Sequence, residues 1–495
     1  ERNHHEMPQH IRRVAVIGAG PAGAIATDAL VKEEAFDTIR VFDRRIVVGG
    51  TWVYTPHLPP KVPSLDALVS GEADKRVPIP EYLPAVTPFN ERVNSHQQRY
   101  SDTPIHENLH SNIAPEIMGY TEEPLPNKLS QQTLKEYGPG APFRHHTVVR
   151  QWVEDLFIRG DHDKLLELRT TVELVVKEGD EWVITLRKVV NGSNYWWKER
   201  FDAVVVASGH YNIPWFPVVQ GFLDYNQRFP GKILHSKHFR GGQHYRGKRI
   251  IVVGASVSAI EVMYEILDFI DGPLYASVRD EPLEYYGWVP FEHPKISVKS
   301  AIDRMDPRTG RVWFTDGSYL DEIDHIIYGT GYTFSFPFLP AVQERVKKAH
   351  RRLPGVYQHT WDIEDPTLTF VGMIGSFTFK AYEWQAVAVA RFLAGRSQPL
   401  PLIEDQREWE RQRVAERRGG KAYYSIGPDY ESFFEWFREF AGDPVRGTTG
   451  RVLPPFEPRW LAIWGSMFLP KLDRWRWKKK EAEWKQEFKA KLSRI

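Results

Sequence analysis

Residues 13–23 read RVAVIGAGPAG, a short β-branched run that opens on Gly18, Gly20 and Gly23. A helical pattern follows, and then a second apolar run that ends at Asp43. Strand, glycine turn, helix and strand, with an acid at the end, are typical of a βαβ unit that binds a dinucleotide. The first glycine permits the tight turn, the second lets the backbone approach a pyrophosphate, and the third lets helix and strand pack closely.

A second unit of the same kind begins at Arg249 and carries the turn Gly254-Ala-Ser-Val-Ser-Ala259. Ser256 and Ala259 stand where the first turn has glycines, and both have small side chains. The strand after the next helix is followed by Arg279 rather than by an acid. An acid accepts hydrogen bonds from ribose hydroxyls, whereas an arginine suits a 2′-phosphate. The first turn therefore predicts FAD and the second predicts NADPH.

Two glycine turns in one chain predict an α/β fold with two Rossmann-like dinucleotide-binding domains. Further along, a strand and a helix between residues 368 and 393 return the chain to the first domain. We predict that an NADPH-binding domain, residues 213–330, is inserted into an FAD-binding domain. The two parts of the FAD-binding domain are residues 1–212 and 331–495, and the second part carries a C-terminal helical extension.

The segment 56–104 is rich in proline and polar side chains and shows no clear period. We expect a long surface excursion with little regular structure, which is either a tolerated loop or a gate over the substrate. Its side chains show no charge pattern that names a ligand.

The composition excludes several kinds of chemistry. The chain has 495 residues, with 65 Lys and Arg against 64 Asp and Glu, and no cysteine. The charge balance gives no argument for nucleic acid as a partner. The absence of cysteine excludes disulfides, thiolate metal sites, a catalytic thiol and the dithiol chemistry of disulfide reductases. We predict no metal site, because the histidines are scattered.

The end of the chain is basic and rich in tryptophan, with Lys478, Lys479 and Lys480 between Trp475 and Trp484. Two interpretations stay open: a solvated helix that packs its tryptophans on the body, or a peripheral contact with a membrane surface. No stretch reaches the ~20 apolar residues that a bilayer-spanning helix needs. We therefore expect a cytoplasmic protein, with peripheral membrane association as the open alternative.

Three further stretches carry a resemblance to a known family. They are Gly49-Gly-Thr-Trp52, Phe229-Pro-Gly-Lys-Ile-Leu-His235-Ser-Lys-His-Phe239, and Gly329-Thr-Gly-Tyr332. In this order they resemble the signatures of the flavin-containing monooxygenases, the type that oxygenates nitrogen or sulfur. The related Baeyer–Villiger enzymes usually have tryptophan at the position of Phe239.

This resemblance implies an enzyme that uses FAD, NADPH and dioxygen on a small-molecule substrate. NADPH would reduce FAD, and the reduced flavin would hold dioxygen as a hydroperoxide that oxygenates a soft nucleophilic nitrogen or sulfur atom. Baeyer–Villiger oxygenation of a ketone and an uncoupled NADPH oxidase that releases hydrogen peroxide stay as alternatives. A homodimer is expected from the resemblance alone.

The resemblance also implies roles for single residues. Asn112, in the pair Ser111-Asn112, matches the side chain that faces nicotinamide and substrate, and we predict that it is catalytic; a loop-capping role is the alternative. Gln385 matches a flavin contact, with a solvent-facing helix residue as the alternative, and His235 is either an inter-domain structural residue or a mechanistic switch. The predicted FAD contacts are Gly18, Ala19, Gly20, Pro21, Ala22, Gly23, Asp43, Arg44, Gly50, Thr51, Trp52, Ser111, Val172 and Gln385. The predicted NADPH contacts are Gly254, Ser256, Val257, Ser258, Ala259 and Arg279.

Overall fold

The computed structural model describes residues 10–56, 64–89 and 102–493. The strands are β1 (Arg13–Ile17), β2 (Thr38–Phe42), β3 (Ala85–Pro88), β4 (Leu166–Glu167), β5 (Thr170–Glu178), β6 (Glu181–Val190), β7 (Ser193–Phe201), β8 (Ala203–Val206), β9 (Ile213–Pro214), β10 (Ile233–His235), β11 (Ile250–Val253), β12 (Leu274–Ser277), β13 (Ile296–Lys299), β14 (Ile302–Met305), β15 (Val312–Phe314), β16 (Tyr319–Leu320), β17 (His325–Tyr328), β18 (Tyr332–Thr333), β19 (Val356–Tyr357), β20 (Trp361–Asp362) and β21 (Leu368–Phe370).

The helices connect these strands and then form the C-terminal extension. They are α1 (Pro21–Lys32), α2 (Leu65–Ser70), α3 (Pro115–Met118), α4 (Gln131–Tyr137), α5 (His146–Arg159), α6 (Phe222–Arg228), α7 (Val257–Ile266), α8 (Pro340–Lys347), α9 (Thr378–Leu393), α10 (Ile403–Arg417), α11 (Lys421–Tyr424), α12 (Tyr430–Ala441), α13 (Arg459–Ser466) and α14 (Leu469–Leu492). No described helix combines the length and the apolar composition that crossing a bilayer requires.

The first sheet has the strand order β19-β20-β21-β8-β1-β2-β4, with parallel pairing from β21 to β4. Strand β1 lies inside this sheet and is buried on both faces, as its continuous apolar sequence requires. Val14 and Val16 belong to a core that includes side chains of α1 and α9. Ala15 and Ile17 point to the opposite face, into a core shared with β5 and β6. Successive side chains of a strand alternate between its faces, so this one strand joins two cores.

The second sheet has the order β10-β17-β11-β12-β13, with parallel pairing throughout. All its strands fall between residues 233 and 328, inside the predicted insertion. The chain enters and leaves this unit side by side, because β9 and β18 pair antiparallel, with Ile213 opposite Thr333 and Pro214 opposite Tyr332. The two ends of the predicted insertion thus meet in one short ribbon.

Residues 56–104, predicted to have little regular structure, contain one short helix and one short strand in the part that the structure describes. Helix α2 buries Leu65 and Leu68 in the core of the second sheet. Strand β3 pairs with β7 and extends the antiparallel sheet β3-β7-β6-β5. The prolines around these short elements hide their apolar spacing in the sequence. Residues 57–63 and 90–101 of the excursion lie outside the described residues.

Candidate active site

The first glycine turn joins β1 to α1 and leaves no room for side chains. Gly18 has φ +111°, and a Cβ there would lie 2.3 Å from the carbonyl oxygen of Ala207, directly after β8. A Cβ on Gly23 would lie 1.9 Å from the carbonyl oxygen of Gly18. The two glycines therefore bring the strand end, the turn and the first turn of the helix into backbone contact.

The N-terminus of α1 has the features of an anion site. Gly20 precedes the helix and Pro21 begins it, so no side chain caps the first turn. The unsatisfied N–H groups and the helix dipole of such an end favour a phosphate. Asp43 lies beside it and accepts hydrogen bonds from the backbone N–H groups of Ala19 (2.8 Å) and Arg45 (2.7 Å). Its carboxylate is thereby oriented and still has lone pairs for ribose hydroxyls.

The second turn, between β11 and α7, achieves the same approach with different residues. Gly254 has φ +117°, a positive value like that of Gly18. A Cβ there would lie 2.7 Å from the carbonyl oxygen of Gly329. Ala259 takes the place of the third glycine, and Gly329 makes the room, because a Cβ on Gly329 would lie 2.7 Å from the Ala259 Cβ. The glycine that permits close packing here is therefore Gly329, which directly follows the neighbouring strand β17.

Three cations stand near this second turn. The side chain of Arg279 is 74% exposed and pairs with its neighbour Asp280 at 2.6 Å. Lys421 donates to the Ser256 hydroxyl at 3.3 Å, at the start of α7. Arg351 lies over the Trp215 ring, and burial, with the charge of Arg279 adding to it, lowers the pKa of Arg351 to about 10. All three side chains line the same cavity.

Sequence reasoning found Arg279 and missed Arg351 and Lys421. The missed residues follow the second turn by many positions and belong to no motif. They are tied to each other, because the Gly420 N–H donates to the Arg351 carbonyl at 3.1 Å. Only the folded chain brings them to the helix end.

Both turns open on one cavity of about 1240 Å³. This exceeds the ~300–1000 Å³ of a pocket for a single small ligand. Among the described residues, the Thr51 hydroxyl is buried in its wall with no hydrogen-bond partner. A flavin nucleotide fits this part of the cavity for two reasons. The Thr51 hydroxyl has no partner, and the glycines of the first turn leave open the space beside the backbone that side chains would occupy.

Asn112 lies in the wall of this cavity. The residue before it, Ser111, is held in place by Arg144. The Ser111 N–H donates to the Arg144 carbonyl at 2.8 Å, and the Arg144 N–H donates to the Ser111 hydroxyl at 2.9 Å. Within the described residues the amide of Asn112 makes no hydrogen bond, so both its donor and its acceptor are free for a ligand. Ser111 thus positions Asn112 and does not itself reach the cavity.

His106, His210 and Phe239 line the same cavity as Asn112. His106 packs edge-on against Phe239, with ring centroids 5.4 Å apart. Burial lowers the pKa of His106 to about 4, and it lowers the pKa of His210 to about 4 as well. Both imidazoles are therefore neutral near pH 7.

The predicted residues divide into those that line the cavity and those that support it. Those that line it are Gly18, Ala19, Gly20, Pro21, Ala22, Asp43, Gly50, Thr51, Trp52, Asn112, Gly254, Ser256, Val257, Ser258 and Arg279. Those that do not are Gly23, Arg44, Ser111, Val172, Ala259 and Gln385.

The supporting residues act through packing or through the backbone. Arg45, rather than Arg44, faces the cavity. Val172 is buried in the core between the first sheet and β6. Gln385 is buried within α9, not exposed, where it accepts from the Gly372 N–H at 3.1 Å and donates to Thr360 at 2.9 Å. It holds the Gly372 turn, which does line the cavity.

His235, for which a structural role and a mechanistic switch are both predicted alternatives, makes contacts of the structural kind. Its ring is buried, accepts from the Lys237 N–H at 3.1 Å, and lies 2.9 Å from the Gly331 carbonyl. It therefore fixes β10 to the segment that leaves the inserted unit. Burial lowers its pKa to about 3, so the ring is neutral.

A family model described as FMO-like, flavin-binding monooxygenase-like, matches residues 89–275 and 293–438, more than half of the chain. The chain belongs to this family. Flavin is the cofactor that defines the family, and NADPH is its reductant, as predicted from the two turns. The flavin-containing monooxygenase ustF2 of Aspergillus flavus is 28% identical over 90% of this chain and 95% of its own length. Senecionine N-oxygenase of Tyria jacobaeae is 24% identical over 94% of this chain and 88% of its own length.

Solved structures of the family share the architecture. The structure of S-allyl-L-cysteine S-oxygenase from Allium sativum covers 98% of this chain, and 99% of that structure is matched, with a TM-score of 0.70 and 21% identity. This confirms the predicted α/β fold with two dinucleotide-binding domains.

Proposed function

We propose that this chain uses NADPH and dioxygen to place one oxygen atom on a soft nucleophilic nitrogen or sulfur atom of a small molecule. The observation that carries the proposal is that both phosphate-binding turns open on one cavity that also contains Asn112. The reaction consumes NADPH, a proton, dioxygen and substrate. It releases NADP⁺, water and the oxygenated substrate.

The first half of the cavity has the groups to hold FAD, which supplies the oxygen-activating chemistry once it is reduced. The N-terminus of α1 binds the pyrophosphate, and Asp43 accepts from the ribose. Thr51 gives its free hydroxyl to the same ligand. These groups orient the ligand and take no part in bond making.

The second half of the cavity has the groups to hold NADPH. The N-terminus of α7 and Lys421 bind the pyrophosphate, because Lys421 stands at Ser256. Arg279 binds the 2′-phosphate, and its pairing with Asp280 is an exposed one of little strength. Arg351 adds positive charge to the same wall.

Asn112 is the side chain that we assign to the reacting centre. Its free amide donates to and accepts from the ligands that meet there, and the aromatic side chains that line the same cavity help to exclude water. Two similar proteins support the choice of heteroatom: one is named an N-oxygenase and the other an S-oxygenase. Phe239, which packs on His106 and Tyr245 in this wall, favours heteroatom chemistry over ketone oxygenation, because the Baeyer–Villiger enzymes usually have tryptophan there.

The test compares products with NADPH consumed. Purified holoenzyme is supplied with NADPH, air and one of three substrates: a tertiary amine, an aryl methyl thioether or a cyclic ketone. We expect N-oxide or sulfoxide in a ratio near one to NADPH, little hydrogen peroxide, and no lactone. Lactone from the ketone would identify a Baeyer–Villiger enzyme. Peroxide equal to NADPH with every substrate would identify an oxidase.

Asn112→Ala is the variant for the same assay. We expect oxygenated product per NADPH to fall on the order of tenfold or more, as when one preorganised donor is lost. Flavin content should not change, because Asn112 supports neither turn. Product yield equal to that of the wild type would remove Asn112 from the reacting centre.

A further inference from the structure

The last described helix, α14, is attached to the body along its first half, up to the ion pairs of Lys478 with Asp268 (2.7 Å) and of Lys479 with Glu292 (3.0 Å). Near its start Lys471 donates to Glu261 at 2.8 Å, and Trp475 is buried against the ring of Tyr264. From residue 483 to 493 every side chain is exposed. About three helical turns therefore have no packing to stabilise them, although helices this short are marginal in water. This end of α14 is a surface that lacks a partner in the described structure.

Large apolar side chains form a stripe along the exposed side of α14, from its middle to its free end. Trp477 is 73% exposed, Trp484 61%, Phe488 50% and Leu492 55%. Their spacing of seven, four and four residues places all four on one face of the helix. The rings of Trp484 and Phe488 stack with centroids 5.5 Å apart. We call these four residues the aromatic stripe.

Lysines flank the aromatic stripe on both sides. At 100° per residue, Lys480 and Lys491 lie along one edge, and Lys485 and Lys489 lie along the other. Residues 476–493 contain seven basic and three acidic side chains. Within the described part of the chain, Lys480, Lys489 and Lys491 have no acidic partner, whereas Lys485 pairs with Glu481 at 2.6 Å.

We propose that the aromatic stripe docks on an anionic lipid surface, with α14 lying in the plane of the headgroups. Tryptophan and phenylalanine insert at the boundary between headgroups and acyl chains, and lysines at both edges reach lipid phosphates. A second copy of the chain fits less well, because pairing two such helices would bring their unpaired lysines together. The stripe is a docking surface and adds nothing to the chemistry of the cavity.

Vesicle binding of the full holoprotein tests this proposal. The probes are vesicles of phosphatidylcholine alone and vesicles that also contain phosphatidylserine. We expect cosedimentation with the anionic vesicles, a blue shift of tryptophan fluorescence, and loss of binding at high salt, because exposed charges are screened there.

Three variants sharpen the test. Replacing Trp477, Trp484 and Phe488 together by Ser should weaken partitioning about tenfold or more. Replacing Lys480, Lys489 and Lys491 together by Gln should reduce binding to anionic vesicles to the level seen with phosphatidylcholine alone. Tyr82→Ser removes an aromatic ring that is 78% exposed elsewhere and should change nothing. NADPH oxidation should stay at the wild-type rate in all three, which shows that each variant is folded.

Two results would overturn the proposal. One is the absence of binding to phosphatidylserine vesicles, or equal binding to neutral ones. The other is self-association in sedimentation velocity that disappears with the triple Ser variant, which would make a second copy the occupant of the stripe.

Discussion

Gly23 and Ala259 occupy equivalent places after the two glycine turns, yet only one of them has to be glycine. At Gly23 the opposing atom is the backbone oxygen of Gly18, which would lie only 1.9 Å from a Cβ added at residue 23. At Ala259 the opposing residue is Gly329, whose missing side chain leaves the space. A backbone oxygen cannot move aside as a side chain does. Residue 259 therefore accepts a Cβ, whereas residue 23 does not.

Gly23→Ala should therefore disrupt the first turn. Overpacking of about 1–3 kcal/mol or more at a helix–strand contact moves α1 away from β1 and weakens its phosphate site. We expect the flavin absorbance per protein of the purified variant to fall about tenfold or more. Gly140→Ala is the matched control, because nothing lies within 4 Å of its Cβ and its φ is ordinary. Wild-type flavin content in Gly23→Ala would place the flavin elsewhere.

The N-terminus of α7 is an element whose ligand preference is set by two cations from different parts of the chain. Arg279 follows β12 in the same unit, whereas Lys421 belongs to α11 and touches Ser256 from outside. A 2′-phosphate and a pyrophosphate are separate anionic groups of one ligand. Arg279 should consequently set the preference for NADP⁺ over NAD⁺, whereas Lys421 should set the affinity for both nucleotides.

Single substitutions of the two cations should have different effects on the affinities for NADP⁺ and NAD⁺. Arg279→Ala should weaken NADP⁺ binding about tenfold and leave NAD⁺ binding unchanged, because only NADP⁺ has the 2′-phosphate. Lys421→Ala should weaken both nucleotides to a similar degree. Arg308→Ala removes an arginine that is 90% exposed in the same unit and serves as the control. Fluorescence titration of each holoenzyme variant with NADP⁺ and with NAD⁺ measures the affinities. Equal loss for both nucleotides in Arg279→Ala would contradict the assignment.

At the scale of the whole molecule, one buried ion cluster joins three separate parts of the chain. Glu261 of α7 accepts from Lys471 (2.8 Å) and Arg474 (2.9 Å) of α14, and Arg474 also reaches Glu136 of α4 at 3.1 Å. Burial by itself would raise the pKa of Glu261. The charges of Lys471 and Arg474 and their hydrogen bonds outweigh it and hold that pKa well below its ordinary value. The cluster thus fixes α14 to the inserted unit only while Glu261 is ionised.

Glu261→Gln should destabilise the protein by about 3 kcal/mol at neutral pH, because it leaves buried cations without their partner. A carboxylate with a lowered folded pKa stabilises above its unfolded pKa of about 4.3 and loses that effect as the pH falls below it. The difference in free energy of unfolding between wild type and variant should therefore stay constant from pH 7 to about pH 5 and shrink at lower pH.

Urea unfolding followed by tryptophan fluorescence measures this gap. Asp473→Asn, on the same helix, removes a carboxylate that is 62% exposed and that pairs, among the described residues, with Arg476 alone. Its effect should stay within about 0.5 kcal/mol. A gap that does not change with pH would show that Glu261 does not stabilise through its charge.

The sequence by itself determined what short-range backbone geometry controls. The two turns, the acid at Asp43 and the arginine at Arg279 lie within contiguous βαβ units, where glycine freedom and strand periodicity are local properties. These features were enough to predict the fold and both cofactors, and most of the residues predicted in the two turns line the cavity, although Gly23 and Ala259 do not. The family signatures added Asn112, whose place in the cavity wall agrees with its predicted role, although that role stays a prediction.

Only the tertiary structure decided what depends on contacts between distant segments. It placed Lys421 at Ser256, provided the space at Gly329 for Ala259, and turned Gln385 inward to hold Gly372. It also packed α2 into the second core, where the sequence predicted a loop. No period or spacing encodes such contacts, because their energy comes from atoms that meet only when the two sheets and the C-terminal helices assemble.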